Sequence, residues 1–291
     1  MPSKRSRYPS LVAGVLAAVF PRRTLTGVIA PSRRGATRKL VVASLAAVSL
    51  ALAAPSGAGA VMTSFNPAVH GFHFTNSFNT RVTLRFPGFT RTINLGNFHY
   101  GLCGGMSYSA LDYFLAGRPI PPDTAEPPLG TALRQYIFRR QLDTFTPGTL
   151  ARFATDPFRS TTDLTHRSRT AFNDVIRRAL DRGRPVPLGL IKTKGFDNLL
   201  VGNHQVLAIG YSTRPIIIKT KTCFLGICRT TTRRDNEPII AIYDPNFPGT
   251  TKFIQTNHNV ETDDQAGRSP VSGSSRVRGY FSTPYSFKRP S

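Results

Sequence analysis

The chain has 291 residues, of which 40% are hydrophobic, so it is long enough to bury a substantial core in one or two domains. Its formal net charge of +23 predicts attraction to anionic surfaces, such as cell-wall polymers, lipid headgroups or nucleic acid. The arginines are scattered, as in YIFRRQ, VIRRAL and TTTRRDN, which argues against specific nucleic-acid recognition by clustered basic residues with stacking aromatics.

Residues 1–60 have the layout of a secretory signal. They contain nine basic residues and no acidic one, and the apolar run LVVASLAAVSLALAA covers residues 40–54. The small residues Ala58, Gly59 and Ala60 follow as a cleavage site. We expect a secreted or cell-envelope protein with no transmembrane domain once the signal is removed; an uncleaved anchor is the alternative.

Residues 61–291 are predicted to form a single α+β domain, with a helical half followed by an antiparallel sheet half. HGFHFTNSF and RVTLRF alternate like short strands. Apolar residues at helical spacing predict helices over residues 103–114, 129–145 and 168–181, and RPVPLGLI follows as a buried strand.

The second half of this domain is rich in strand signals. Strands are predicted at residues 204–211, 215–221, 238–244 and 250–256, each bounded by turn residues. The polar residues 259–276 are predicted to be a flexible loop, and VRGYFSTPYSF closes the chain as a last strand.

The chain has three cysteines, and their spacing separates one from the other two. Cys223 and Cys228 in KTCFLGICR are predicted to form a disulfide, which suits an exported protein. A metal site would need further ligands nearby, and no such cluster is visible, so we expect neither a metal nor a cofactor. Cys103 is then the odd thiol and a candidate for chemistry.

Cys103 stands before two glycines at the predicted start of a helix, in NFHYGLCGGMSYSALDYF. The free N–H groups and dipole of a helix N-terminus lower the pKa of a thiol, which favours a nucleophile. Gly104 and Gly105 would let the backbone and a substrate approach closely. The alternative is a buried structural cysteine at a glycine-rich turn.

A nucleophilic thiol needs a base, a group that orients the base, and donors for the oxyanion. His204 is the best candidate base because it opens an apolar strand. Asp244 ends another strand and could orient the imidazole or simply cap a turn, and Asn246 is the alternative orienting group. Asn97, six residues before Cys103, could donate its amide to the oxyanion.

The order of these stretches resembles a papain-like cysteine peptidase fold. The resemblance rests on NFHYGLCGGMSYSALDYF, AFNDVIRRALDRGRPVPLGLI, NHQVLAIGY and IIAIYDPNFPG, and it covers roughly residues 95–256. Among the branches, the chain is most similar to the bacteriocin-leader-peptidase-like group. There a helix ending L-x-x-G-x-P-V leads into a strand, H-x-V opens another strand, and D-P closes the next.

The resemblance implies Cys103 as nucleophile, His204 as base and Asp244 as orienting residue. It predicts a thiol-dependent hydrolase or acyltransferase that acts on an amide or peptide bond. The family has a longer Gln where this chain has Asn97, and its usual aromatic residue near the nucleophile is replaced by glycine. These departures define the alternative function, an inactive papain-like binding or effector module with a basic surface.

Overall fold

The computed structural model describes residues 60–78, 101–195, 203–225, 227–255 and 277–290, and the backbone of short strands at 83–84, 93–94 and 260–262. All of these belong to one unit, residues 58–291. The predicted signal up to residue 59 and the oxyanion candidate Asn97 lie outside the described residues. So does the predicted loop 259–276, except for the backbone of the strand at 260–262.

The helices are short and most begin at a recognisable cap. They are α1 (Pro67–His70), α2 (Cys103–Leu115), α3 (Ala132–Thr144), α4 (Pro147–Thr155), α5 (Thr161–Ala171) and α6 (Arg177–Leu180). Five residues in a π-helical turn, Phe172–Ile176, join α5 to α6. The helix predicted at residues 168–181 therefore begins earlier, at Thr161, and α4 is an additional helix.

The strands are β1 (Val61–Met62), β2 (Thr83–Leu84), β3 (Ile93–Asn94), β4 (Val186–Ile191), β5 (His204–Phe224), β6 (Ile227–Tyr243), β7 (Thr251–Gln255), β8 (Val260–Thr262) and β9 (Gly279–Ser282). The main sheet has the order β8-β7-β6-β5-β4-β9, and β1 pairs with β5 beside this row. Every pairing in it is antiparallel, so the described residues have the predicted α+β class with an antiparallel sheet.

One hairpin, β5–β6, is much longer than the rest of the sheet. The strands predicted separately at residues 204–211 and 215–221 are one continuous strand of 21 residues. Its partner β6 has 17 residues and pairs with it from Tyr243 out to Ile227. The predicted Cys223–Cys228 disulfide is present near the turn of this hairpin.

The segment HGFHFTNSF is not a strand among the described residues. Phe72, Phe74 and Phe78 are all buried, although their spacing imitates a strand with one apolar face. The ring centroids of Phe72 and Phe74 are 5.3 Å apart, and those of Phe74 and Phe78 are 6.0 Å apart. This irregular segment therefore closes the core by aromatic packing instead of by backbone pairing.

The sheet carries helices on both faces. Leu207, Ile209 and Tyr243 pack in one cluster with residues of α2 and α3. Val206 and Ala208, which alternate with the first two along β5, pack in a second cluster with the segment that ends in α6. The strand start that carries His204 is thus fixed from both sides.

Candidate active site

Cys103 is the first residue of α2, and it is the partly exposed end of a buried helix. Residues 104–113 are all buried, whereas the thiol residue is of intermediate exposure. The first N–H groups of a helix have no partner within it and carry the positive end of the helix dipole. The fold therefore places the thiol of a partly exposed residue where negative charge is stabilised.

The two glycines after Cys103 have a packing role. A Cβ at Gly104 would lie 2.7 Å from the side-chain amide of Gln205, and one at Gly105 would lie 2.2 Å from the carbonyl oxygen of Ile137 in α3. The close approach expected at these positions is thus made by protein atoms, and the expected opening for substrate is not seen there.

A buried network of amides and hydroxyls holds the N-terminus of α2. The Gly105 N–H donates to Oε1 of Gln141 at 2.8 Å, and Gln205 donates through Nε2 to the hydroxyl of Thr144 at 3.0 Å. These residues were not identified from the sequence. The sequence pattern could have identified Gln205 as buried. Gln205, Leu207 and Ile209 are every second residue along β5, and they lie on the face of the strand that packs on α2.

His204 and Asp244 meet because their strands are antiparallel neighbours. His204 begins β5, Asp244 directly follows β6, and the register pairs Leu207 with Tyr243, so both residues lie at the same end of the hairpin. His204 Nε2 is 2.8 Å from Asp244 Oδ1. The exposed fractions of the two residues are 7% and 0%, so the pair is shielded from water.

The tautomer of His204 follows from this contact. Because Asp244 accepts a hydrogen bond from Nε2–H, Nδ1 is the nitrogen left to face the thiol. The Cys103 thiol and the His204 imidazole lie close enough for each to shift the pKa of the other toward the charged form. The three side chains therefore form a line, thiol to imidazole to carboxylate, which is the order that a Cys-His-Asp site requires.

The charged forms of Cys103 and His204 stabilise each other. Burial by itself raises the pKa of the Cys103 thiol, but the charge of His204 and the hydrogen bonds from His204 and the Gln205 backbone bring that pKa below its ordinary value. Burial likewise disfavours the imidazolium, but the Asp244 carboxylate and the Cys103 thiolate outweigh it and raise the pKa of His204 to about 10. Both pKa shifts are in the direction that favours a thiolate beside an imidazolium.

Asn246 lies beside His204 and Asp244 and contacts both residues. Its backbone N–H donates to Asp244 Oδ1 at 2.8 Å, and its Nδ2 is 3.4 Å from His204 Nε2. Asn76 donates through Nδ2 to Asn246 Oδ1 at 3.0 Å and packs against Gly101, two residues before the thiol. Asn76 was not identified from the sequence, because it lies in an irregular segment with no motif around it.

The structure thus brings together Cys103, His204, Asp244 and Asn246, while Cys223 and Cys228 lie at the far end of the hairpin. Among the described residues, no group of three or more His, Cys, Asp or Glu side chains could hold a metal ion. Within the same residues, no helix is long and apolar enough to span a bilayer.

A scan against protein-family models finds no match, and searches of curated proteins and of solved structures find none either.

Proposed function

We propose that the protein is an exported, papain-like thiol hydrolase or acyltransferase that acts on an amide or peptide bond. The observation that carries this proposal is the line of side chains from Cys103 through His204 to Asp244 at a helix N-terminus. Burying ionisable groups costs stability unless they are paired, and groups with strongly shifted pKa values cluster at functional sites.

In the proposed mechanism, His204 takes the proton of Cys103 and the thiolate attacks the carbonyl carbon. The oxyanion that forms is held by the backbone N–H of Cys103 at the start of α2, and Asn97, which lies outside the described residues, is the second donor that the sequence predicts. The imidazolium then gives its proton to the leaving amine, which leaves a thioester on Cys103. Water or a second amine, deprotonated by His204, releases the acyl group.

The test is the rate of alkylation of Cys103 by iodoacetamide as a function of pH, followed by mass spectrometry. The other two cysteines are in the disulfide, so the reaction reports on Cys103 alone. We expect the rate to rise through an inflection below the ordinary cysteine pKa and to change again near pH 10, where the imidazolium of His204 loses its proton.

The variant His204→Ala should move that inflection above the ordinary value, because burial then acts on the thiol without its partner. The exposed His73 gives a matched control, and His73→Ala should leave the curve unchanged. Identical curves for the wild type and His204→Ala would contradict the proposal.

The alternative, a binding or effector module without turnover, is favoured by the shorter Asn97 at the oxyanion position. Incubation with a mixture of short peptides separates the two functions. Hydrolysis or acyl transfer produces new peptide masses that a Cys103→Ala variant does not produce. An activated thiol with no new masses would leave the binding module as the function.

A further inference from the structure

The distal part of the β5–β6 hairpin leaves the sheet as a two-stranded arm, residues 213–238. Among the described residues, the pairing of this arm runs from Thr213 opposite Pro238 to Phe224 opposite Ile227, and the neighbouring strands pair only nearer the site. At about 3.3 Å per residue, the arm extends about 35 Å. The Cys223–Cys228 disulfide joins its strands one position before the last pair.

The end of the arm is apolar and exposed. Phe224, Leu225 and Ile227, here called the tip, have exposed fractions of 77%, 85% and 78%. Leu225 also has a φ of 48°, a left-handed conformation that turns normally give to Gly, Asn or Asp. Neither solubility nor turn geometry favours leucine at this position.

Behind the tip the arm is basic on both faces. Residues 215–234 contain five basic residues and no acidic one. The register places Arg229 and Arg233 on the face of Phe224, and Lys219, Lys221 and Arg234 on the opposite face. The cations therefore surround the arm instead of lining one side of it.

We propose that the arm is a membrane-docking element whose tip enters the interface of an anionic lipid bilayer. An apolar end encircled by cations is complementary to a planar anionic surface approached end-on, where both faces of the arm meet headgroups equally. A nucleic-acid groove would contact one side of the ribbon and leave the cations of the other face without a phosphate.

The backbone of the arm limits how deep the tip goes. Both edges of a two-stranded ribbon have unpaired N–H and C=O groups, which cannot enter the hydrocarbon core. Insertion by about 5–10 Å, as for other interfacial segments, buries the tip alone. Lys221 and Arg229 then lie at the headgroups, about 7–10 Å from the tip, while Arg233 and Arg234 lie about 20 Å away.

The chain contains no tryptophan, so a single tryptophan at the tip reports on that position only. In Leu225→Trp, we expect a blue shift of emission and quenching by brominated lipids with vesicles of phosphatidylcholine and phosphatidylglycerol, and neither effect with phosphatidylcholine alone. Leu129, 79% exposed and outside the arm, provides the control Leu129→Trp, which should show no response. This readout is local, so residues 1–60 can stay in place.

Absence of a shift at the tip would overturn the proposal, and so would an equal shift at residue 129. A blue shift of the tip with duplex DNA in place of vesicles would also overturn it, because the arm would then be a nucleic-acid element.

Charge variants test the predicted depth. Replacing Lys221 and Arg229 by Ser should weaken vesicle binding, measured by quenching of the tip tryptophan, by about twenty-five-fold, at about fivefold per cation near the surface. Replacing Arg233 and Arg234 by Ser should change it by less than about twofold, because they lie beyond a Debye length of about 8 Å. Equal losses in both double variants would exclude end-on insertion.

In a Phe224→Trp background, Leu225→Asn removes apolar area from the tip while suiting its turn. We expect binding to fall by about tenfold with an unchanged or higher melting temperature, so that misfolding cannot explain the loss. Full binding by this variant would remove the proposed role of the apolar tip.

Discussion

The pKa shifts of Cys103 and His204 depend on each other. Burial favours the neutral form of both, and their mutual attraction opposes this; Asp244 raises the pKa of His204, and its direct effect on the Cys103 pKa, also upward, is the smallest of the causes. The proposed nucleophile therefore depends on a carboxylate that it does not contact through its own hydrogen bond. This dependence gives the orienting residue a measurable effect on the sulfur.

The two orienting candidates, Asp244 and Asn246, can be separated by single variants. Asp244→Asn removes the charge that raises the pKa of His204, so we expect the imidazolium to be lost at lower pH and the alkylation rate of Cys103 at neutral pH to fall by about tenfold or more. Asn246→Ala removes only a neutral amide, and we expect a change within about threefold.

Melting curves of both variants give the control for folding. A larger effect from Asn246→Ala than from Asp244→Asn would transfer the orienting role to Asn246.

At the scale of single residues, the sequence identified the side chains that stand at element boundaries. Cys103 starts a helix, His204 starts a strand and Asp244 follows one, and each has a local pattern around it. Asn76, Gln141 and Thr144 have no such pattern, because they meet only through tertiary packing. Their contribution is to position the start of α2 and the amide of Asn246.

At the scale of elements, the position of the thiol depends on how closely α2 and α3 approach. Gly105 allows the Ile137 carbonyl of α3 to come near the helix backbone, and Gln141 of α3 accepts the Gly105 N–H. The first turn of α2 is thus held by the neighbouring helix. Any side chain at position 105 pushes this turn away from its support.

Gly105→Ala should therefore destabilise the protein by about 1–3 kcal/mol through overpacking, measured by urea unfolding. Gly148 in α4 has no atom within 4 Å of its ideal Cβ, so Gly148→Ala is the matched control. We expect that variant to be more stable by about 0.4–1 kcal/mol, because alanine restricts the unfolded chain. A neutral Gly105→Ala would show that α2 and α3 can separate without cost.

Two helices, α4 and α5, and the outer part of the β5–β6 hairpin were the elements that the sequence located least well. Of the eleven residues of α5, only Leu164 and Ser168 are buried, so its start is marked by the Ser160 cap and not by an apolar stripe. The start of α4 is marked in the same way by Thr146 and Pro147. The outer half of β6 is exposed on both faces, and a strand with no buried face needs no alternation.

At the scale of the whole molecule, Asp112 fastens the C-terminal segment to the helical half. This buried carboxylate of α2 makes an ion pair with Arg140 of α3 at 2.7 Å. It also accepts from the Tyr285 hydroxyl at 2.7 Å and from the Lys288 N–H at 2.9 Å. A single carboxylate in α2 therefore joins α3 and the C-terminal segment to that helix.

Asp112→Asn should lower the free energy of unfolding by about 1.5–3 kcal/mol, because it removes the buried one of the two carboxylates that pair with Arg140 and leaves only Asp143. The control Asp163→Asn lies in exposed ion pairs, and we expect a loss below about 1 kcal/mol. Urea unfolding gives both values, and limited proteolysis should cut the Asp112 variant first near residues 284–290. Equal losses in the two variants would contradict this role of Asp112.

The β5–β6 hairpin also sets the distance between the proposed catalytic pair and the tip. His204 begins β5 and Asp244 follows β6, so the strands that carry the proposed catalytic pair at one end carry the tip at the other. The path from His204 to Phe224, in extended strand, is at most about 65 Å. A molecule held at a lipid surface by its tip would therefore work at a set height above it. Its substrates would be those that stand away from the bilayer, and bonds lying in the headgroup plane would be out of reach.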